Sequence, residues 1–331
     1  MREPAFWWRP GTGGVLSPLA GLYAAVAALR MQLHGRSVGV PVICLGNLTV
    51  GGAGKTPAAL AVARLLLAAR ERPFLLTRGY GGRLRGPIRV NAATHSAGDV
   101  GDEALLLARL APTIVARDRV AGAEAARAGG ASVIVMDDGF QNPSVEKTLA
   151  IVLVDSRRGI GNGRVIPAGP LRAPLGVQMA RADAIITVGA AAGAAAVAEV
   201  ARRRGMPVFH GRIEPDQSVL AAIGRRKVLA FAGIGDPQKF FDTLATAGID
   251  VTERASFPDH HRFTAAEAES LTARANAAKL MLLTTEKDMA RLSGDRRLAA
   301  LADRASALPV RLAIDEQDGF REMILRAVKR N

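Results

Sequence analysis

A glycine-rich loop constrains the fold of this 331-residue chain more than any other feature. The loop follows an apolar strand and opens an Ala/Leu-rich helix. Glycines let successive backbone N–H groups turn towards a phosphate, and the helix N-terminus adds partial positive charge. We therefore predict an ATP-binding loop, and its residues are Thr49, Gly51, Gly52, Ala53, Gly54, Lys55 and Thr56. Thr49 stands where the strict motif has glycine, so a glycine-rich turn that binds nothing is the alternative.

A second segment supplies the partners that such a loop needs. Residues 133–136 form an apolar strand that ends in two acids, Asp137 and Asp138. A strand of this kind places carboxylates beside the loop, where they hold Mg²⁺ together with the Thr56 hydroxyl, while Lys55 reaches the terminal phosphates. Acids at a strand end also cap helices. Loop and strand together indicate a P-loop nucleotide-binding protein that uses ATP and Mg²⁺, with Thr56, Asp137 and Asp138 as metal ligands.

The remaining pattern indicates the fold class. From residue 40 onwards apolar strands alternate with helical segments, and the composition shifts near residues 215–226, where a second unit begins. Alternation of this kind is typical of α/β proteins with right-handed crossovers. We predict a P-loop NTPase-type parallel sheet sandwiched by helices over residues 37–218. A smaller α/β domain follows over residues 219–331, and an N-terminal amphipathic helix occupies residues 1–36.

The N-terminal region is apolar and basic at its ends. Its large apolar residues recur near helical spacing, and they are Leu16, Leu19, Tyr23, Val26, Leu29 and Leu33. The run of 15 residues is shorter than the roughly 20 that a spanning helix needs. A cleaved signal peptide would export a nucleotide-binding loop, which argues against it. A core helix and an interfacial helix, with Trp at the headgroups and Arg on anionic lipid, are the two stronger interpretations.

The positive charge of the chain is also concentrated in its N-terminal part. The formal net charge is +14, and residues 1–90 carry 12 Lys or Arg against two acids. Arg-rich codon usage explains part of this excess, but an anionic partner explains why acids are nearly absent from the N-terminal part. We find no basic platform with interleaved aromatic residues, so nucleic acid is not predicted as a partner. The single cysteine, Cys44, excludes an internal disulfide.

An ordered series of short motifs identifies a family. In sequence order they are GNL (46–48), TRGYGG (77–82), GDE (101–103), DDGFQ (137–141), GNG (161–163) with PAGPLR (167–172), FPDHH (257–261) and TTEKD (284–288). Together these motifs resemble those of the tetraacyldisaccharide 4'-kinases of Gram-negative bacteria over nearly the whole chain. The resemblance implies an enzyme that transfers the ATP γ-phosphate to the 4'-hydroxyl of a tetraacyl glucosamine disaccharide 1-phosphate. Its product is lipid IVA, and it needs Mg²⁺ and works at the cytoplasmic face of the inner membrane.

The resemblance also implies residue roles. Asp102, in the GDE segment, matches the catalytic base, His260 assists it, and Lys55 binds phosphate. Phosphoryl transfer itself requires positioning, charge neutralisation and a group that accepts the hydroxyl proton. Asp99 is an alternative base, His261 an alternative to His260, and Asp102 could instead only cap a helix. Residues expected to contact the anionic glycolipid or the transferred group are Arg78, Tyr80, Asp99, Arg117, Arg119, Asn142, Arg172 and His261.

Two positions depart from the family pattern. Ala173 stands where the family usually has a Glu that assists the metal, and Asn142 stands where it often has His. Asp138 or water must then complete the metal shell. Two alternatives to the lipid kinase stay open, namely another P-loop small-molecule kinase and a membrane-docked, nucleotide-dependent regulatory protein. No obligate protein partner is evident from the sequence.

Overall fold

The computed structural model describes residues 3–329, and within them the strands form two sheets. The strands are β1 Val42–Asn47, β2 Pro73–Thr77, β3 Ile88–Arg89, β4 Thr113–Val115, β5 Val133–Asp137, β6 Leu149–Asp155, β7 Ala184–Val188, β8 Val208–Pro215, β9 Val228–Ala232, β10 Val251–Ser256, β11 Met281–Thr285, β12 Ala305–Leu308 and β13 Val310–Ile314. The larger sheet has the order β13-β8-β7-β6-β1-β5-β2-β4-β3, and the smaller has the order β10-β9-β11-β12.

Parallel pairing dominates both sheets, as the alternation of strands and helices predicted. In the larger sheet only the two edge strands run antiparallel, β13 on β8 and β3 on β4. Strand β1 lies between β5 and β6, and Leu45 of β1 is in register with Asp137 of β5. The loop after β1 and the acids that end β5 therefore meet at the carboxyl edge of the sheet, where α/β folds bind ligands.

Helices cover the faces of the sheets. They are α1 Ser17–Gln32, α2 Lys55–Ala68, α3 Ala97–Val100, α4 Asp102–Ala108, α5 Arg119–Ala128, α6 Leu175–Met179, α7 Ala195–Arg203, α8 Gln217–Ile223, α9 Pro237–Thr246, α10 Ala265–Ala277, α11 Glu286–Leu292, α12 Ala299–Arg304 and α13 Gln317–Lys329. Short 3₁₀ helices lie at Ala5–Trp8, Gly14–Leu16, Ala192–Ala194 and Arg296–Leu298. Helices α2 and α13 share one core beneath the larger sheet, and α5, α6 and α7 share the core on its other face.

The central strands are continuous apolar runs because both of their faces are covered. Every residue of β1, β5 and β6 is buried, as expected for parallel strands between two helical layers. The sandwiched parallel sheet that the sequence predicted is therefore confirmed, together with a second, smaller α/β sheet.

The end of the chain returns to the larger sheet. Strand β13 pairs with β8, Leu312 opposite Ile213, and α13 packs on α2. The sequence assigned everything after residue 218 to the smaller domain, because local patterns do not reveal which sheet a strand joins. We propose instead that the smaller unit comprises residues 217–308, and that residues 310–329 belong with the larger one.

Helix α1 lies on the surface with its largest side chains outward. The exposed set comprises Val15, Leu19, Leu22, Tyr23, Val26, Leu29 and Leu33, whereas Ala20 and Met31 face the protein. Within the described residues, Gly14–Gln32 is the helical stretch that passes as a membrane span by length and composition, and 11% of it is buried. No charged residue lies between Leu19 and Leu29. The helix is thus apolar on both sides, and its two faces differ in that Ala20 and Met31 are buried while most of the large side chains point outward.

Candidate active site

The phosphate loop begins where β1 ends. Gly51 and Gly54 have φ values of 101° and 84°, in the left-handed region that side chains rarely adopt, so these two positions require glycine. The Asn47 Nδ2 donates to the Gly51 carbonyl at 2.9 Å, and the Lys55 Nζ donates to the Asn47 Oδ1 at 3.2 Å. Asn47 therefore fixes both the turn and the direction of the lysine. Sequence reasoning quoted this residue only as part of a motif.

Three charged groups meet beside the loop. The Asp138 Oδ1 accepts from the Arg172 Nη1 at 2.8 Å and lies 3.6 Å from the Lys55 Nζ. The Arg172 Nε also donates to the Thr49 carbonyl at 3.0 Å. Burial lowers the pKa of Lys55, and Asp138 opposes this effect. Asp138 has a φ of 52°, a strained conformation that persists at functional sites when neighbours hold the residue in place. Two cations thus converge where a terminal phosphate would lie.

The residues predicted to bind the metal fit a cation in their chemistry. The Thr56 Oγ1 lies 3.4 Å from the Asp137 Oδ2. The Asp137 Oδ1 is buried and has no hydrogen-bond partner among the described residues. Burial, with Glu103 nearby, raises the pKa of Asp137 to about 7. The Thr56 hydroxyl and the carboxylate oxygen of Asp137 that accepts no hydrogen bond are ligands of the kind that Mg²⁺ prefers. A bound cation would also favour the ionised form of Asp137.

Arg119 is a buried arginine at this edge. Its side chain donates from Nη1 to the Ala116 carbonyl at 3.1 Å and from Nη2 to the Asp138 carbonyl at 3.4 Å. Burial lowers its pKa, and Asp138 partly compensates. The exposed Arg78 is within electrostatic range of Arg119. Arg119 therefore braces the backbone of Asp138, and Arg78 lies close enough to Arg119 to act on its charge.

The predicted base lies at the start of α4. Asp102 is 3% exposed, and its Oδ2 accepts from the Nε of Arg291 at 2.8 Å and from the Nη2 of the same side chain. The His260 Nδ1 lies 3.5 Å from that oxygen. Burial alone would raise the pKa of Asp102, but the polar contact from His260 and the charges of Arg291 and Lys287 outweigh it and lower the pKa. The carboxylate is therefore held ionised, as a proton acceptor must be.

Asp99, the alternative base, has another task. Its Oδ2 accepts from the backbone N–H of Ser96 at 2.8 Å and from the Ser96 hydroxyl at 2.7 Å, and its Oδ1 accepts from Arg83 at 2.7 Å. The hydrogen bonds from Ser96 and then the contact with Arg83 lower its pKa to about 2. Oδ2 forms the cap of α3 and Oδ1 is paired with Arg83, so both oxygens are occupied and the geometry favours Asp102 as the base.

The two neighbouring histidines are separated by their surroundings. The His260 ring lies 4.6 Å from the exposed Tyr80 ring, on the same side as Asp102. The His261 Nε2 lies 2.9 Å from the Glu267 Oε2, and its ring stacks on Phe257 at 4.9 Å. His260 thus joins the site, whereas His261 supports the smaller unit and is not brought to the base.

Two other predicted substrate residues lie outside this cluster. Arg117 is exposed after β4. The Asn142 Oδ1 accepts from the Ser144 N–H at 2.9 Å, which is a local turn contact. Neither side chain has a structural contact with Asp102 or with the loop, so their roles stay predictions.

Sequence reasoning missed the ion pairs that join α4 to the smaller unit. The Lys287 Nζ donates to the Glu103 Oε1 at 2.6 Å. Lys287 enters the sequence reasoning only as part of the TTEKD motif, and Arg291 does not enter it. The available signal was spacing, because residues 287 and 291 lie one helical turn apart on one face.

Comparisons with known proteins identify the family of this chain. The family model described as Tetraacyldisaccharide-1-P 4'-kinase (LpxK) matches residues 13–329. The chain belongs to the tetraacyldisaccharide-1-P 4'-kinase family. It is 52% identical over 330 residues to the tetraacyldisaccharide 4'-kinase of Rhodopseudomonas palustris strain BisB5, covering 99% of this chain and 97% of that relative. It is also 52% identical to that of Bradyrhizobium sp. strain BTAi1, covering 98% of this chain and 94% of that relative.

A solved structure shows the same architecture for this family. LpxK from Aquifex aeolicus, crystallised in complex with ATP, superposes with a TM-score of 0.73 at 28% identity, covering 96% of this chain and 99% of that one. The predicted family, and with it the prediction of a kinase, is therefore confirmed.

One departure from the family pattern has a structural consequence. Ala173 is fully buried, and its carbonyl accepts from the Gln178 Nε2 at 2.7 Å. A carboxylate is thus lacking at this position of the tetraacyldisaccharide-1-P 4'-kinase site, and Asp138 is tied to Arg172 and Lys55. Asp137 and Thr56 therefore stay the predicted ligands of the metal.

Proposed function

We propose that this chain transfers the γ-phosphate of ATP to the 4'-hydroxyl of a tetraacyl glucosamine disaccharide 1-phosphate and so forms lipid IVA. The observation that supports this proposal is the buried, ionised carboxylate of Asp102. The next residue, Glu103, lies close enough to Lys55 and Asp137 for its charge to act on both of them. A proton acceptor and a phosphate-binding lysine are thus linked through Glu103, and phosphoryl transfer to an alcohol requires both groups. Family membership supplies the identity of the acceptor.

The chain's own residues divide the work as follows. The loop N–H groups and Lys55 hold the β- and γ-phosphates, and Arg172 neutralises charge on the transferred group. Asp102 accepts the proton of the 4'-hydroxyl, while His260 and Tyr80 border the acceptor. Thr56 and Asp137 would hold Mg²⁺, which would supply additional charge neutralisation on the phosphates.

The substrate class explains the exposed N-terminal helix. A tetraacyl lipid resides in a membrane, and α1 presents bulky apolar side chains beside Arg30. The α-helical part of Gly14–Gln32 has 16 residues and, at about 1.5 Å per residue, covers less than the roughly 30 Å of a hydrocarbon core, although the whole segment passes as a span by length and composition. We therefore propose an interfacial, monotopic association with the cytoplasmic face of the bacterial inner membrane, where anionic lipid meets the basic N-terminal part.

The membrane proposal is tested by making α1 polar. The variant L19Q/L22Q/L29Q should lose most of its cosedimentation with anionic vesicles, because three large apolar side chains no longer enter the interface. Its ATP affinity should be unchanged. Leu67 is an exposed leucine on α2, and L67Q is the matched control that keeps vesicle binding. Undiminished vesicle binding of the triple variant would contradict the proposal.

The activity is tested by transfer of labelled phosphate. With γ-labelled ATP, Mg²⁺ and a tetraacyl disaccharide 1-phosphate in mixed micelles, label should enter the lipid, and removal of Mg²⁺ should abolish transfer. Label in a soluble sugar acceptor but not in the lipid would favour the soluble-kinase alternative. Slow ATP hydrolysis without any acceptor product would favour a regulatory protein.

A further inference from the structure

Two ion pairs join the helix that carries the base to the smaller unit. Asp102 and Glu103 are consecutive acids in the first turn of α4. Lys287 and Arg291 are bases one turn apart on α11, and each pairs with one acid. Helices α4 and α11 pack against each other along this contact. One of the two pairs therefore uses the carboxylate that accepts the substrate proton.

Arg291 is the more firmly held of the two bases. Its side chain is 8% exposed, and its Nη1 donates to the Gly233 carbonyl at 2.6 Å and to the Asp288 Oδ1 at 2.8 Å. Asp288 is itself fixed, since it accepts from the Thr285 hydroxyl at 2.6 Å and from the Gly233 N–H at 3.1 Å. The guanidinium is thus anchored in the smaller unit before it reaches Asp102.

The fork leaves one face of the carboxylate for the acceptor. Arg291 occupies Oδ2 through Nε and Nη2, whereas Oδ1 accepts only the Glu103 N–H, at 3.0 Å. A carboxylate oxygen has two acceptor positions. Oδ1 therefore keeps one acceptor position that no described side chain occupies, and this position is available to the 4'-hydroxyl of the acceptor.

We propose that Arg291 is a positioning residue of the transfer reaction, which orients Asp102 and keeps it ionised from the smaller unit. This inference rests on the proposed function, because it assigns Asp102 as the base. It also means that the base is complete only while the two units are in contact. Arg291 acts through Asp102 and does not touch substrate.

The proposal has a pH signature. The charged and titratable groups that face Asp102 are Glu103, His260, Lys287, Asp288 and Arg291. An adjacent guanidinium lowers an aspartate pKa by about 1–3 units. Its removal raises the pKa of Asp102, so the acidic limb of kcat/KM moves to higher pH in R291Q. In the wild type the acidic limb of kcat/KM lies at lower pH because the pKa of Asp102 is lowered.

The experiment compares three variants of the full chain. R291Q should lose about ten- to a hundredfold in kcat, with little change in the KM for ATP and with the acidic limb shifted upwards by about one unit or more. R291K keeps the positive charge but cannot donate to Asp102 and Asp288 at the same time. Its kcat should therefore fall, while the acidic limb of its kcat/KM profile stays near that of the wild type. The control is D242N, which breaks the pair of Asp242 with Arg157 at 3.1 Å, far along the chain from the base. It should match the wild type in both readouts.

A second readout does not depend on turnover. The ¹³C carboxyl resonance of Asp102, assigned by its loss in D102N, should titrate at higher pH in R291Q than in the wild type, without ATP or lipid. An unshifted titration in R291Q, or a wild-type kcat in R291K, would overturn the proposal. If the acidic limb of kcat/KM shifted as far in D242N as in R291Q, the proposal would also be overturned. Loss of contact between the two units, and not loss of Arg291, would then be the cause. Absence of transfer by the wild type, with the titration shifted, would reject the proposed function instead.

Discussion

The phosphate-binding half of the site and the base-carrying half are built in different ways. The first half lies on the carboxyl edge of one sheet, where Leu45 and Asp137 of neighbouring strands are in register. The second half joins Asp102 of the larger unit to His260 and Arg291 of the smaller one, the latter 189 residues away in sequence. A rigid sheet fixes the first half, whereas contact between two units creates the second.

The two halves also differ in how far the protein itself balances the charges of their residues. In the phosphate half, burial lowers the pKa of Lys55 and raises that of Asp137 to about 7. The protein alone therefore balances these charges incompletely, which suits residues that are to meet phosphate and a cation. In the base half, the partners of Asp102 outweigh burial and lower its pKa. The cations of the protein itself therefore keep this carboxylate ionised.

The largest effect is expected in the phosphate half. K55A should reduce kcat/KM by about a thousandfold or more, because the lysine neutralises charge in the ground state and in the transition state. ATP affinity should fall as well, as measured by nucleotide titration. K55R, which keeps the charge, is the control and should retain part of the binding. Unaltered ATP affinity in K55A would mean that the loop binds phosphate without its lysine.

The base half should respond differently. D102N should lower kcat by about a hundred- to a thousandfold through loss of the proton acceptor. ATP affinity should stay at the wild-type value because the loop is untouched. A loss of ATP binding equal to that of K55A would break the distinction between the halves. Near wild-type turnover would move the role of base to Asp99.

The sequence revealed the first half more fully than the second for a physical reason. The loop, the strand ending in Asp137 and Asp138, and the alternation of strands and helices are local patterns that depend on neighbours within a few turns. The spacing of Lys287 and Arg291 places both on one face of α11, but it does not show that this face contacts Asp102, because that contact depends on how two units pack. Family resemblance assigned Asp102 and His260, but it gave no reason to notice Arg291.

The same limit explains two other differences. Strand β13 pairs with β8 of the larger sheet although it directly follows the smaller one. Strand β13 is short, and its apolar and polar residues alternate. This pattern is compatible with either sheet. The stripe of large residues on α1 was visible in the sequence, but which face Ala20 and Met31 bury could be known only from the packing.

The neighbouring histidines give a smaller and more selective test of the base half. H260A should lower kcat by about ten- to a hundredfold, because Asp102 loses a partner and the acceptor loses the wall formed with Tyr80. H261A is the matched control. It should keep kcat within about threefold and lower the melting temperature, since His261 contacts Glu267 and Phe257. Equal kcat losses would mean that the smaller unit acts only as a scaffold.

The smallest expected effect concerns Asp99. D99N should leave kcat within about twofold, while weakening the cap of α3 and lowering the free energy of unfolding by about 1 kcal/mol at neutral pH. The pKa of Asp99 is lowered to about 2, so its contribution is complete above the ordinary aspartate pKa and is lost as the pH falls through 2. The stability difference from wild type should therefore shrink between pH 5 and pH 2, measured by urea unfolding. D118N, which weakens the cap of α5, is the control for a cap lost elsewhere. A loss of kcat in D99N comparable to that in D102N, with D118N unaffected, would show that the base half uses both carboxylates of the loop and not Asp102 alone.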